Sequence, residues 1–427
     1  MYQAIDFTRY FVSSVDSQDF NKVCKNNKGL GDSSVYKDSG WNVKAEQVSL
    51  PSACLYQSRL SKNIQWMAQF AQQSQVFFAP HGKTTMCPDI FKQQLAAGAY
   101  AITVANAQQA LVAKAAGAKN ILMANQLVGL ANMQKIAELL LDLSGDFFCL
   151  VDNVDNVSKL GDFFTAKGLS VKVLIELGIK KGRCGVNDEK RLLALIAHIK
   201  AYPALKLAGI EVYEGVLEHK ADVEAFLKNA IDQCQMLMTD HAFDSQEVII
   251  TAGGSAWYDV VCKVFTQAER SNNMKMIIRP GCYVAHDQGI YEQAQQGVLA
   301  RSELAGKIEN ELSSCLEIFA YVQSLPESGR AVIGMGKRDV AFDAGMPTPN
   351  THINQQGEVN VVPSSWRVEK VMDQHAMLTY DSEELKLTVG DIISFGSSHP
   401  CLTFDKWRYI NLMDDNFNVI DVYKTYF

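Results

Sequence analysis

Lys83 lies in the segment Pro80-His81-Gly82-Lys83-Thr84, directly after a short apolar run at 76–79. A lysine just beyond a buried strand can form a Schiff base with a carbonyl when its amine is partly neutral. Taken alone, such a lysine is more often a solvated surface residue. A second feature alters that balance. Gly253-Gly254-Ser255 follows another apolar run and precedes a helical pattern. Glycines let backbone N–H groups approach an anion, and a helix start adds favourable partial charge. Most Gly-Gly-Ser turns are only turns, so the two features matter together. A phosphate cradle plus a reactive lysine is what pyridoxal 5′-phosphate (PLP) requires.

His399 and Cys401 form the one His-x-Cys pair of the chain. Imidazole and thiolate suit Zn²⁺, and two protein ligands leave positions for water or substrate. A hydrogen-bonded histidine beside a buried cysteine is the commoner meaning of such a pair. His375, in Asp373-Gln374-His375-Ala376, reads equally well as a proton carrier or as an ordinary strand histidine. His81 reads as a residue that shapes its loop. Asn125 and Gln126 follow a third run without a motif to place them.

Eight apolar runs set the framework, at 76–79, 101–105, 121–124, 147–151, 171–177, 207–213, 248–252 and 274–279. They are short, rich in Val, Ile and Phe, and not alternating, as strands buried on both faces are. Amphipathic stretches separate them, for example 107–116, 130–143 and 188–201, with Asp188 and Glu189 suited to a helix start and Gly98 and Gly117 to helix ends. The repeat predicts a (β/α)8 barrel of the TIM type, in preference to an open doubly wound sheet. Barrel sites lie at the C-terminal ends of the strands, and phosphate is often held after strands seven and eight. Lys83, Gly254, Ser255 and Tyr283 all fall in such loops, as do Arg183 and Tyr213. Beyond residue 300 the runs are shorter and turn-rich, at 332–335, 359–362, 371–380, 391–395 and 409–412, which predicts a β-rich domain. The expected division is an N-terminal extension at 1–45, partly helical, the barrel at 46–300 and the β domain at 301–427.

Composition agrees with a folded α/β-plus-β enzyme. The 427 residues are 48% hydrophobic and carry a net charge of −7, which disfavours nucleic acid as a partner. The ten cysteines include no C-x-x-C pair, so zinc-ribbon and thioredoxin readings fail and buried thiols in a reducing compartment are expected. No signal peptide or membrane span is expected, which points to the cytoplasm.

The segment Pro80-His81-Gly82-Lys83-Thr84 resembles the PLP-lysine motif of fold-type III enzymes related to D-serine dehydratase and D-threonine aldolase. The resemblance continues at Glu176, Gly178 and Arg183-Cys184-Gly185, at Tyr213-Glu214-Gly215, at Gly254-Ser255, at Arg279-Pro280-Gly281-Cys282-Tyr283 and through Ser398-His399-Pro400-Cys401 to Trp407. It implies an alanine-racemase-like barrel with a C-terminal β domain, and a homodimer. It also implies that Lys83 carries PLP covalently, that Arg183 contacts its phenolic oxygen, that Tyr213 faces its pyridine nitrogen, and that Gly254, Ser255 and Tyr283 hold its phosphate. His399 and Cys401 would hold a divalent metal, with the site completed between domains or protomers. In the family, dehydratases carry His and Cys where the aldolases carry His and Asp, so the thiolate favours zinc and dehydration. The segment from Gly336 to Asp343 resembles the β domain of the family and reads as charges that bridge strands.

The expected reaction is elimination from a D-3-hydroxy amino acid such as D-serine, giving a 2-keto acid and ammonia. Lys83 would take the α-proton, and zinc would polarise the β-hydroxyl. Aldol cleavage to glycine and an aldehyde is the alternative. A racemase would leave the His-Cys pair without purpose, and a non-catalytic PLP carrier would lack the second domain.

Overall fold

The computed structural model describes residues 28–32, 40–268 and 273–427. The helix expected within 1–45, and Cys24, lie mostly or wholly outside these residues. In chain order, β1 (Trp41–Asn42), β2 (Ser52–Tyr56) and α1 (Gln57–Gln73) come first. Strand and helix then alternate: β3 (Phe77–Phe78), α2 (Pro88–Ala96), β4 (Ile102–Val104), α3 (Ala107–Ala115), β5 (Ile121–Gln126), α4 (Leu130–Leu140), β6 (Phe147–Val151) and α5 (Val154–Lys167). They continue as β7 (Val171–Leu177), α6 (Glu189–Lys200), β8 (Leu205–Val212), α7 (Lys220–Thr239), β9 (Val248–Ala252), α8 (Tyr258–Gln267) and β10 (Met274–Ile278).

Each of the eight apolar runs is a strand, and they pair in parallel in the order β3-β10-β9-β8-β7-β6-β5-β4. The two ends of that order meet. Tyr100 N–H donates to the Phe78 carbonyl at 2.8 Å, Thr103 N–H donates to the Pro80 carbonyl at 2.9 Å, and His81 bridges Thr103 in parallel. The sheet therefore curls into a TIM-type barrel, whereas a doubly wound sheet would keep two free edges. Ala79, Leu122, Phe148, Leu150, Leu174, Ala208, Ile249 and Ile277 pack together as one buried cluster of this unit. Small residues beside large ones let such layers interdigitate. Local chemistry sets the helix limits. Asp188 caps α6 by accepting the Arg191 N–H at 2.8 Å. Gly98 and Gly117, at φ +96° and +93°, end α2 and α3 in a conformation that side chains disfavour.

The remaining elements are α9 (Ile290–Arg301), α10 (Glu303–Lys307), β11 (Leu316–Glu327), β12 (Arg330–Ile333), β13 (Thr348–Ile353), β14 (Val359–Val361), β15 (Arg367–Val371), β16 (Ala376–Thr379), β17 (Ile392–Gly396), α11 (Cys401–Phe404), β18 (Tyr409–Met413) and β19 (Asn418–Lys424). The strand expected at 371–380 is instead the end of β15, a turn and β16. Met372 N–H donates to the His375 carbonyl at 2.7 Å, and Asp373, Gln374 and His375 are exposed on the turn. A polar turn of this kind interrupts the ladder although apolar residues flank it.

The compact units do not follow the linear division at 45 and 300. Among the described residues, one comprises those within 62–284 and 291–312, and the other combines 28–32 and 40–61 with 285–290 and 313–427. The cause is β2, which pairs antiparallel with β11 and parallel with β18. Trp41, Tyr56, Phe319, Ile353, Ile392, Tyr409 and Val422 share one core cluster of the second unit.

His286, in that second unit, is buried and has φ +52°. Burial pushes its imidazole down to about 4 from 6.5. The unfolded chain then binds more protons than the folded one between those values, so stability is lost as pH falls from about 6.5 to 4. The loss is about 3 kcal/mol for the full interval. Asparagine tolerates a positive φ. His286→Asn is therefore expected to flatten the stability profile across that window in denaturant titrations; an unchanged slope would refute the assignment.

Among the described residues, Cys54, Cys87, Cys149, Cys234, Cys262, Cys282 and Cys315 are buried free thiols, while Cys184 and Cys401 are partly exposed. Burial raises the thiols of Cys54, Cys87, Cys149, Cys234 and Cys315 to about 12, which keeps them protonated and inert. No helix among the described residues is long and apolar enough to cross a membrane.

Candidate active site

Lys83 occupies a single helical turn, Gly82–Thr84, at the C-terminal end of β3. The turn is held tightly: a Cβ on Gly82 would lie 2.6 Å from the Phe91 ring and 3.1 Å from Ile102. Gly82 and Thr84 are buried while the Lys83 side chain is exposed. His81 precedes it, with its ring bonded to the Thr103 backbone and its Nδ1 buried without a partner. Burial, then the charges of Lys83, Arg279 and Arg183, hold that imidazole well below its usual range.

Under this loop lies a buried ionic layer whose details the sequence did not announce. Arg279, at the end of β10, pairs with Glu211 of β8 and donates to Thr251 Oγ1 at 2.7 Å. Desolvation raises the Glu211 carboxyl to about 7, against the pull of Arg279. Glu176 of β7 is also raised by burial, opposed by a 2.6 Å hydrogen bond from Gln126 and by Arg183. Gln126 thus finds its place as the partner of Glu176. A charge in a run otherwise buried on both faces is the signal that could have identified Glu176 and Glu211, because such a group needs a partner. Arg279→Met is expected to lower stability by about 3–5 kcal/mol, since Glu211 would be stranded. Urea unfolding measures this, and a loss below about 1 kcal/mol would show that the pair holds little.

Arg183 stands at the rim, 4.6 Å from the Tyr213 ring and 4.0 Å from Glu176. The Tyr213 hydroxyl is raised by burial and by Glu214, against Arg183 and Arg279. Asp152, Glu176 and Cys184 bring their donor atoms within 4.8 Å of one another. Two of these groups already serve the loop, because Gly185 N–H donates to Asp152 and Gln126 to Glu176.

The proposed phosphate residues come together beyond β9 and β10. Gly253 has φ +90°, and Gly281 has no room for a Cβ, which would meet His81 and Thr84 at 2.9 Å. The N–H groups of Gly281 and Cys282 both aim at Ser255 Oγ, each at 3.3 Å. Tyr283 is buried, and its hydroxyl accepts from Gln94 at 3.0 Å, which leaves its own proton to donate. Gly254 differs from the expectation: its N–H donates to Glu214 at 2.7 Å, beside that of Gly253 at 3.0 Å. Its contribution is space, since a Cβ there would lie 3.3 Å from the Tyr213 ring. Glu214, absent from the expected residues, fastens this turn. A turn free of side chains beside the Ser255 hydroxyl, the buried Tyr283 hydroxyl and an exposed amine fit PLP, which would supply an electron sink when bound.

In the β-rich unit, His399 and Cys401 flank the start of α11 and are hydrogen-bonded side chain to side chain. His399 Nδ1 lies 2.7 Å from Asp343 Oδ2. The Cys401 bond, opposed by burial and aided by Asp343, raises His399 to about 9. Asp405 is raised by burial and feels Cys401, His399 and Asp343 as well. This donor set fits a soft divalent ion. His375 lies on the exposed β15–β16 turn.

Two family models match the chain: the alanine racemase N-terminal domain over residues 56–258 and a putative serine dehydratase domain over 315–413. A D-threonine aldolase of an Arthrobacter species is 26% identical over 307 residues, 70% of this chain and 75% of that protein. The crystal structure of a D-threonine aldolase from Filomicrobium marinum superposes with a TM-score of 0.73 at 22% identity, covering 90% of this chain and 97% of that one. A cysteine-to-alanine variant of D-threo-3-hydroxyaspartate dehydratase, in a metal-free form, has a TM-score of 0.69 at 19% identity, covering 90% and 99%. The chain belongs to the fold-type III PLP enzymes of the D-serine dehydratase and D-threonine aldolase family.

Proposed function

We propose that the chain is a PLP- and zinc-dependent lyase that dehydrates and deaminates a D-3-hydroxy amino acid such as D-serine to a 2-keto acid and ammonia. The observation that carries this reading is the hydrogen-bonded His399–Cys401 pair, an imidazole and a cysteine sulfur suited together to zinc. Lys83 would hold PLP, and its amine would serve as the base that takes the α-proton from one face. Arg183 and Tyr213 would position the ring, and Ser255 and Tyr283 would hold the phosphate at the turn where Gly254 leaves room for it. His399 and Cys401 would hold the metal, which would supply Lewis-acid chemistry at the β-hydroxyl. The same reading takes the chain as a cytoplasmic homodimer.

Aldol cleavage is the second reading, and the aldolase named among the relatives favours it. The products decide between them. Purified protein supplied with PLP and zinc is incubated with D-serine, D-threonine and D-threo-3-hydroxyaspartate. Keto acid and ammonia support dehydration, and glycine with an aldehyde would replace that reading by the aldolase one.

A further inference from the structure

We propose that Asp343 is the positioning residue that presents His399 to a divalent metal through Nε2. The inference rests on the metal reading given above and adds to it a residue outside the ligand pair.

His399 Nδ1 and Asp343 Oδ2 are 2.7 Å apart. A carboxylate accepts, so Asp343 holds the Nδ1 proton of His399, and the nitrogen that would bind a metal, once its own proton is displaced, is Nε2. A carboxylate behind the ring in this way fixes both the tautomer and the ring plane of a metal-binding histidine. The pair is partly exposed, at 20% for His399 and 41% for Asp343. An ordinary surface pair at that exposure would form and break with solvent.

The backbone around it argues against a casual pair. The stretch from Asp339 to Gly345 is fastened to the His399 loop on both sides of Asp343. Ala341 N–H donates to Thr403 Oγ1 at 3.1 Å, and that hydroxyl donates to the His399 carbonyl at 3.0 Å. Ser398 Oγ donates to the Gly345 carbonyl at 2.7 Å, and Trp407 Nε1 to the Asp339 carbonyl at 2.7 Å. His399 N–H itself donates to Ser397 Oγ at 3.1 Å. The carboxylate and the imidazole are therefore set opposite each other by bonds from the backbone of both segments to Ser397, Ser398, Thr403 and Trp407, before either side chain chooses a rotamer. Asp343 gives the segment after Gly336 a function beyond bridging strands.

The test uses the full chain and zinc alone as the probe. Zinc affinity is measured by competition with a chromophoric chelator for the wild type, His399→Ala, Asp343→Ala and Asp343→Asn. The His399 tautomer is read in metal-free protein at pH about 10, above the point where the ring loses its second proton, by nitrogen NMR on histidine-labelled samples. Asp343→Ala is expected to weaken zinc by about 10–100-fold and to move the proton from Nδ1 towards Nε2. Asp343→Asn, whose amide oxygen still accepts from Nδ1, is expected to fall between the two, a rescue that a merely structural role would not give. Thermal midpoints should not change. Wild-type affinity and an unchanged tautomer in both Asp343 variants, with zinc lost in His399→Ala, would overturn the role of Asp343 alone. Undiminished zinc binding in His399→Ala would overturn the metal reading and this inference with it.

Discussion

Lys83→Ala is expected to abolish the visible absorption of lysine-bound PLP and to lower turnover by about 10⁴-fold, the upper end of what loss of a positioned base removes. The fold should survive. Lys83 is exposed on a turn whose shape is set by Gly82 and by bonds from Thr85 and Met86 to the Gly82 carbonyl, at 3.2 and 2.9 Å. The proposed phosphate donors, Ser255 and Tyr283, lie on other loops, so the cofactor should still be retained noncovalently. A small primary amine added to the variant should restore part of the absorption, because it replaces the missing nucleophile. An unaltered band in Lys83→Ala would require a different lysine and would remove the basis for the site at β3.

The second large effect concerns the metal. Cys401→Ala leaves His399 as a single strong donor and is expected to lose stoichiometric zinc, as would dialysis of the wild type against a chelator. Keto-acid formation from D-serine should then fall by at least about 10²-fold, since the hydroxyl would leave without polarisation. PLP absorbance should be unaffected, because Lys83 and the phosphate donors belong to other segments of the chain. Elemental analysis and the product assay on the same sample separate the two functions. Full turnover in protein shown to be free of metal would refute the part assigned to His399 and Cys401. Cys401→Asp distinguishes softness from charge: the carboxylate keeps the anion but should favour harder ions than zinc.

Much of the barrel was legible because its strands are buried on both faces. Continuous apolar runs such as that of β6 have few alternatives in a repeating β/α pattern. The helix ends were legible through Asp188, Gly98 and Gly117, whose side chains, or lack of them, act locally. The β-rich unit was harder. β11 begins in an apolar stretch and ends in Ser324-Leu325-Pro326-Glu327, so its full length rests on pairing with β2, β12 and β17 and not on its own pattern. The division at residue 45 followed composition, whereas β2 is placed by partners far along the chain. In the site, Lys83 and the Gly-Gly-Ser turn are adjacent to strand ends and could be placed by topology. Glu214 and Asp343 could not, because each matters through a partner distant in sequence: the amides of Gly253 and Gly254, and His399.

The position of β2 has a consequence for making the protein in pieces and for how it is made in the cell. Its neighbours on both sides, β11 and β18, leave the ribosome only after the whole barrel sequence. Until then this five-residue apolar strand has two open edges, a state that invites pairing with other chains. A recombinant fragment cut after residue 300 would make that interval permanent. Fragments that omit 52–56 from the first half, or supply them to the second, match the way the chain is built.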